Sequence, residues 1–229
     1  MILRQLFDAE SSTYTYLLAD PATKQAALID PVLGQADRDL KLIADLGLAL
    51  TLVLDTHVHA DHVTAAGEIR RRTGARTASA SDAPCVDVRL AGGAVLPLGE
   101  LEIRVLATPG HTDDSLSYHV GRYVFTGDAL LVRGTGRTDF QNGDPIELYD
   151  SITRVLFALP DDTVVLPGHD YKGFTSTTID EEKRLNPRVA GKSRDEFVAI
   201  MNALELPKPK KIDVAVPANR ACGVLDPAC

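Results

Sequence analysis

The chain has 229 residues, 45% of them hydrophobic, enough to bury the core of one large α/β domain. Its formal net charge of −8 and pI near 5.2, with basic runs limited to Arg70–Arg72 and Lys208–Lys211, argue against nucleic acid or an anionic membrane as partner. The three cysteines, Cys85, Cys222 and Cys229, are far apart and form no C-x-x-C pair. They predict neither a disulfide framework nor a zinc knuckle. With no apolar export segment near Met1, they point to a soluble, cytoplasmic protein of a reducing compartment.

In chain order, residues 2–7, 14–19 and 25–30 read as three strands; Tyr14 and Tyr16 alternate with threonines as in a half-buried strand. Asp37 to Leu48 places Leu40, Ile43, Ala44 and Leu48 on one helical face. That helix feeds the apolar run Thr51–Asp55, which stops abruptly at T-H-V-H-A-D-H, and a second helix is predicted from about His62 to Arg72. Short strands follow near 76–80, 94–98 and 101–107, then a hairpin of 116–120 with 123–126. Asp144 and Pro145 open a helix carrying Leu148, Ile152, Val155, Leu156 and Leu159; 163–166 is one more buried strand. Two helices with S/T-x-x-E boxes at Thr178 and Ser193 close the fold, and the Pro/Lys-rich tail from Leu206 is assigned no element. Strands grouped with helices that return to cover them predict an α/β (α+β) sandwich of two mixed sheets, one domain over 1–229.

The polar groups collect where apolar runs end. His57, His59, Asp61 and His62 follow Thr51–Asp55; His111 follows Leu101–Ala107 in A-T-P-G-H-T; Asp128 follows Gly127; His169 follows Thr163–Leu166 in L-P-G-H-D. Imidazole and carboxylate are ligands of first-row metals, and a strand end is a rigid place to hold them.

This T-H-x-H-x-D-H cluster, followed by a later His, a G-D and a final G-H, resembles the metallo-β-lactamase superfamily over about residues 14–170, which implies an αββα sandwich. The stretches A-L-L-V-R-G-T-G-R-T-D-F-Q (129–141), G-H-D-Y-K-G (168–173), N-P-R (186–188) and L-P-K-P-K-K-I-D-V-A-V-P-A-N (206–219) resemble, more narrowly, the persulfide dioxygenases. That resemblance implies one Fe(II) per chain on His57, His111 and Asp128, with His59, Asp61, His62 and His169 as outer groups that orient the ligands. It implies glutathione persulfide and O2 as substrates, sulfite and glutathione as products, and a role in sulfide detoxification. No rhodanese-like domain is fused here, so any sulfur-donor protein is expected in trans, and a homodimer is compatible with such a chain. Arg133, Arg137 and Arg188 are candidates for the carboxylates of the substrate, and Tyr171 for its sulfur or a bound oxygen. For Arg137 the neighbouring Asp139 offers a competing ion pair. Cys222 and Cys229 read as ordinary thiols. Two alternatives stay open. One is a dinuclear thioester hydrolase of the glyoxalase II type, disfavoured by too few residues after 170 for that enzyme's helical domain. The other is a non-catalytic iron- or persulfide-binding module.

Overall fold

The computed structural model describes residues 1–223, so Cys229 lies outside the described residues. The chain divides into two compact units: Met1–Leu90, Leu96–Ile103 and the chain from Lys208 in the first, Ala91–Val95 and Arg104–Pro207 in the second. Among the described residues, no helix is long and apolar enough to cross a membrane.

In the first unit, β1 (Ile2–Asp8), β2 (Thr13–Ala19), β3 (Gln25–Ile29), β4 (Ala49–Leu54), β5 (Arg76–Ser79) and β6 (Val88–Arg89) lie in that order in one sheet. β1 to β3 pair antiparallel and β3 to β6 parallel. The parallel half exists because α1 (Ala36–Asp45) and α2 (Ala66–Thr73) act as crossovers between its strands. Ile43 of α1 and Ile69 of α2 join Leu17, Leu28 and Val53 in one buried cluster. Each such side chain contributes about 1.5–3 kcal/mol on leaving water. The same cluster fixes the carboxyl end of β4, where the histidine run begins.

β2 is not half-buried as the alternation suggested: all seven of its residues are buried. Its threonines turn toward polar partners instead of water. Thr15 Oγ1 donates to the Asp30 carbonyl at 2.8 Å and Thr13 Oγ1 to Asp61 Oδ2 at 3.1 Å. α2 starts at Ala66, later than predicted, because the backbone before it bonds to residues 31–33. Leu33 N donates to Val63 O at 2.8 Å and Ala65 N to Pro31 O at 2.7 Å. The arginine run at the end of α2 is paired rather than simply solvated, Arg70 with Asp87, Arg71 with Glu68 and Arg72 with Asp37.

Two expectations for the cysteines and the tail are overturned. Cys222 is no ordinary thiol: it is disulfide-bonded to Cys85, 137 residues away, with a Cα–Cα distance of 6.1 Å. Cysteines so distant in sequence meet only because both the 83–86 turn and the C-terminal segment pack on the cluster of α1 and α2. The argument for a reducing compartment loses its basis. The tail is not featureless either: α6 (Ile212–Asn219) forms despite Pro217 inside it, with Ala215 and Ala218 buried.

The second sheet runs β12 (Thr177–Thr178), β11 (Val164–Pro167), β10 (Tyr123–Gly127), β9 (Leu116–Val120), β8 (Leu101–Ala107), β7 (Val95–Leu98). It too is mixed, with β10 and β11 parallel and β8–β9, β9–β10 and β11–β12 antiparallel. Because β10 and β11 are parallel, the residues after them, Asp128 and His169, emerge at the same end. α3 (Pro145–Asp150) is capped by Asp144, whose side chain accepts from the Ile146 and Glu147 N–H groups. It continues through a π turn at Ser151–Val155 and a 3-10 turn at Leu156–Ala158. α4 (Ile179–Leu185) starts at Thr178, and α5 (Arg194–Asn202) at Ser193 with a complete reciprocal capping box. Leu148, Ile152, Ile179, Phe197 and Met201 pack with Val124 and Val165.

Candidate metal centre

On the first unit, the end of β3 and the end of β4 build one hydrogen-bonded support. Asp30 takes φ +50°, a left-handed conformation uncommon for a residue with a side chain. In that conformation Oδ1 accepts from the Thr56 N–H at 2.7 Å and Oδ2 from the Thr56 hydroxyl at 2.9 Å. The hydroxyl proton is thereby spent, so the contact of Thr56 Oγ1 with His57 Nδ1 at 2.9 Å requires His57 Nδ1–H to donate. The lone pair of His57 is left on Nε2, the atom a metal would use.

Asp30 Oδ1 also faces His59 Nε2 at 3.1 Å. Burial pushes the His59 imidazole down, but the Asp30 charge, with Asp61 and Asp55 behind it, lifts it to about 9. His62 Nδ1 sits 2.9 Å from Asp61 Oδ2 and 3.3 Å from Thr13 Oγ1. The rings of His57 and His59, and of His59 and His62, pack 4.1 and 4.3 Å apart. His57, His59 and His62 are all buried; Asp61 is partly exposed.

On the second unit, His111 Nδ1 lies 2.7 Å from the Arg137 carbonyl. A carbonyl only accepts, so Nδ1 carries the proton and Nε2 the lone pair. His169 Nδ1 lies 2.6 Å from Asp128 Oδ1, and Asp128 Oδ2 lies 3.6 Å from His111 Nε2. Such outer hydrogen bonds fix tautomer and ring direction in the way metal sites need. Gly136 allows this approach: a Cβ there would stand 2.7 Å from His111 Nδ1 and 2.5 Å from the Asp128 carbonyl oxygen.

The three arginines differ in what they already hold. Arg133 binds Glu181 at 3.0 Å and Glu182, and donates to Thr177 at 3.1 Å. Arg137 forks onto Asp139 at 2.6 and 2.7 Å, donates to the Pro207 and Leu206 carbonyls, and lies 4.6 Å over the Phe140 ring. Arg188 is half-buried, donates to the carbonyl and hydroxyl of Thr135 at 2.8 and 3.0 Å, and has no carboxylate partner among the described residues. Burial pushes its guanidinium pKa down. Tyr171 is 71% exposed and stacks parallel to His169, 6.1 Å between centroids. Asp30, Thr56, Thr13 and Asn219 carry much of this support and were not singled out by sequence reasoning. The signals available were the I-D-P and V-P-A-N stretches.

Set against known proteins, residues 9–87 and 81–169 match the Metallo-beta-lactamase superfamily. The chain is 46% identical to "Persulfide dioxygenase ETHE1, mitochondrial" of Homo sapiens, over 99% of this chain and 91% of that protein. It belongs to the metallo-β-lactamase superfamily and, within it, to the persulfide dioxygenases. A solved member of that family, "Crystal structure of ETHE1 from Myxococcus xanthus", is 65% identical with a TM-score of 0.96, covering 98% of this chain and 100% of that one. The chain is also 37% identical to a "Hydroxyacylglutathione hydrolase" of Bradyrhizobium sp., over 83% of this chain and 76% of that protein.

Proposed function

We propose that this chain is a persulfide dioxygenase in which His57, His111 and Asp128 hold one Fe(II), and that its substrate is a low-molecular-weight persulfide, glutathione persulfide first. One observation carries the ligand assignment. In each of the three residues one polar atom is oriented by a hydrogen bond, His57 Nδ1 at Thr56, His111 Nδ1 at the Arg137 carbonyl and Asp128 Oδ1 at His169, as the outer hydrogen bonds of metal ligands do. Two imidazoles and one carboxylate are the set that non-haem iron oxygenases use with coordination positions left open. When bound, the iron would supply the redox chemistry by which the outer persulfide sulfur, O2 and one water give sulfite and the free thiol.

The protein's own part is to hold and orient. His169 fixes the Asp128 carboxylate, the Arg137 carbonyl fixes His111, and Asp30 fixes His57 through Thr56. Of the three arginines, Arg188 best suits a substrate carboxylate, because Arg133 and Arg137 already carry carboxylate partners. Tyr171, exposed beside His169, is the proposed contact for a bound sulfur or oxygen. Residues 1–229 are read as one functional domain, since the family match runs through both units. A sulfur donor acting in trans, a homodimer and a cytoplasmic location complete the proposal. The last must accommodate the Cys85–Cys222 bond, which a strongly reducing compartment would open.

A second reading, a dinuclear thioester hydrolase, draws on the group His59, Asp61 and His62. Against it, Asp61 is shared with His62 and Thr13. The test is metal content and oxygen uptake after anaerobic purification. The expected result is about one iron per chain and O2 consumption with glutathione persulfide. Two zinc ions per chain, thioester hydrolysis and no oxygen uptake would overturn the proposal.

A further inference from the structure

The loop that carries His57, His59, Asp61 and His62 has no regular secondary structure from 57 to 63, so its backbone must be held by something other than a ladder or a helix. One side is held by residues 31–33: Leu33 N to Val63 O, Ala65 N to Pro31 O and the bridge of Val32 with Thr64. The other side meets a single side chain from the far end of the chain. Asn219, the last residue of α6 and 7% exposed, donates from Nδ2 to the His59 carbonyl at 2.9 Å and to the His62 carbonyl at 2.8 Å. Its Oδ1 accepts from the Thr64 N–H at 2.8 Å. Both amide protons and the carbonyl are in use, across 155 to 160 residues of sequence.

We infer that Asn219 is a positioning residue of the metal centre, which clamps the 59–64 backbone and thereby sets where His57 presents its Nε2. The inference rests on the reading of His57 as an iron ligand.

The surroundings of Asn219 are built to keep it in place. Gly67 N donates to the Cys222 carbonyl at 2.8 Å, and a Cβ at Gly67 would stand 2.6 Å from that oxygen, so α2 and the end of α6 touch backbone to backbone. Cys222 is tied to Cys85, and Ala215 and Ala218 are buried. Asn219 is therefore delivered by a segment fixed on the core of the same unit. No other residue type supplies this set at this length. Aspartate lacks the two donors, serine has one, and glutamine would need an extra methylene in a buried space.

A buried asparagine with three hydrogen bonds also stabilises the fold, so the experiment must separate clamping from stability. Asn219→Ala and Asn219→Asp are compared with Ile43→Val, a core truncation in the same unit and remote in sequence from the loop. Asn219→Asp is informative because it keeps the acceptor for Thr64 N–H and the side-chain volume, but sets a carboxylate oxygen against the His59 and His62 carbonyls in place of the two donors. Two quantities are measured on the full chain: the rate of iron loss to an excess of chelator, and amide hydrogen exchange of residues 57–66 in the metal-free protein. Both Asn219 variants should lose iron roughly 10–100-fold faster, the range for groups that orient ligands. Both should also exchange faster at 57–66, while Ile43→Val stays within about twofold of the parent at both readouts. If Asn219→Ala does not fold, Asn219→Ser takes its place. Iron loss and loop exchange no greater than in Ile43→Val, at a matched fall in melting temperature, would overturn the inference. The exchange arm needs no metal, so it decides the clamp even if the parent protein carries two zinc ions and the dioxygenase reading fails.

Discussion

Arg137 has its guanidinium fork filled by Asp139 and by the carbonyls of residues 206 and 207, whereas the Arg188 guanidinium meets Thr135 and the Met201 sulfur and no carboxylate among the described residues. Replacing each by lysine keeps the charge and removes the fork, so the two substitutions separate bracing from binding. Arg137→Lys should lower stability by roughly 1 kcal/mol, read as a fall in Tm, with KM for glutathione persulfide little changed. Arg188→Lys should raise KM about tenfold, the loss of roughly 1.4 kcal/mol of binding, with Tm and iron content near those of the parent. Oxygen uptake against substrate concentration, alongside thermal melts, reads both; the opposite pattern would exchange the roles. Asp20 offers a pH test at the same scale. Its carboxylate accepts from the Glu100 N–H at 2.9 Å and from Thr23 and Ala22, which holds its pKa down at about 2. A folded pKa below the unfolded value means that this stabilisation is complete above about pH 4 and is lost as pH falls through 2. Asp20→Asn should therefore melt below the parent at pH 7, and the gap should close between about pH 4 and pH 2.

α6 and the 83–86 turn show what elements add that single residues do not. The disulfide between them closes a segment whose ends are 137 residues apart in sequence, and restraining so long a loop in the unfolded chain is worth about 2–5 kcal/mol. Thermal melts with and without reductant should differ strongly for the parent. Cys85→Ser should melt near the reduced parent and ignore reductant; a parent Tm that is indifferent to reductant would mean the bond contributes nothing. Neither the bond nor α6 was legible in the sequence, and for related reasons. Val214, Val216 and Pro217 are poor helix formers, so the helix depends on burial of Ala215 and Ala218, which local propensity does not report. Where local signals agreed with packing, boundaries came out close: Asp144 with Pro145, and Ser193 with Glu196, start their helices where the caps say. The start of α2 was misjudged because tertiary hydrogen bonds to residues 31–33 took backbone groups that a first turn would have used.

Across the whole molecule, the proposed metal ligands could be picked out as candidates because strand ends deliver them in short motifs. Their supports could not, because Asp30 reaches Thr56 over 26 residues and Asn219 reaches His59 over 160. A metal that binds the folded chain and not the unfolded one stabilises it by mass action, about 2.7 kcal/mol at a free concentration one hundred times Kd. Adding Fe(II) anaerobically to chelator-stripped protein should therefore raise Tm, and stripping it again should reverse the rise. His111→Ala and Asp128→Ala each leave two of the three protein ligands and should abolish most of the iron-dependent rise. Asp61 accepts hydrogen bonds from Thr13 and His62 within the loop, so Asp61→Ala should keep most of the rise at saturating iron, with affinity weakened by roughly 10–100-fold. Titrating Tm against iron distinguishes the two cases, since a weakened site shifts the midpoint and a missing ligand removes the plateau. An Asp61→Ala protein whose plateau vanishes as completely as that of Asp128→Ala would place Asp61 among the ligands and require a different donor set.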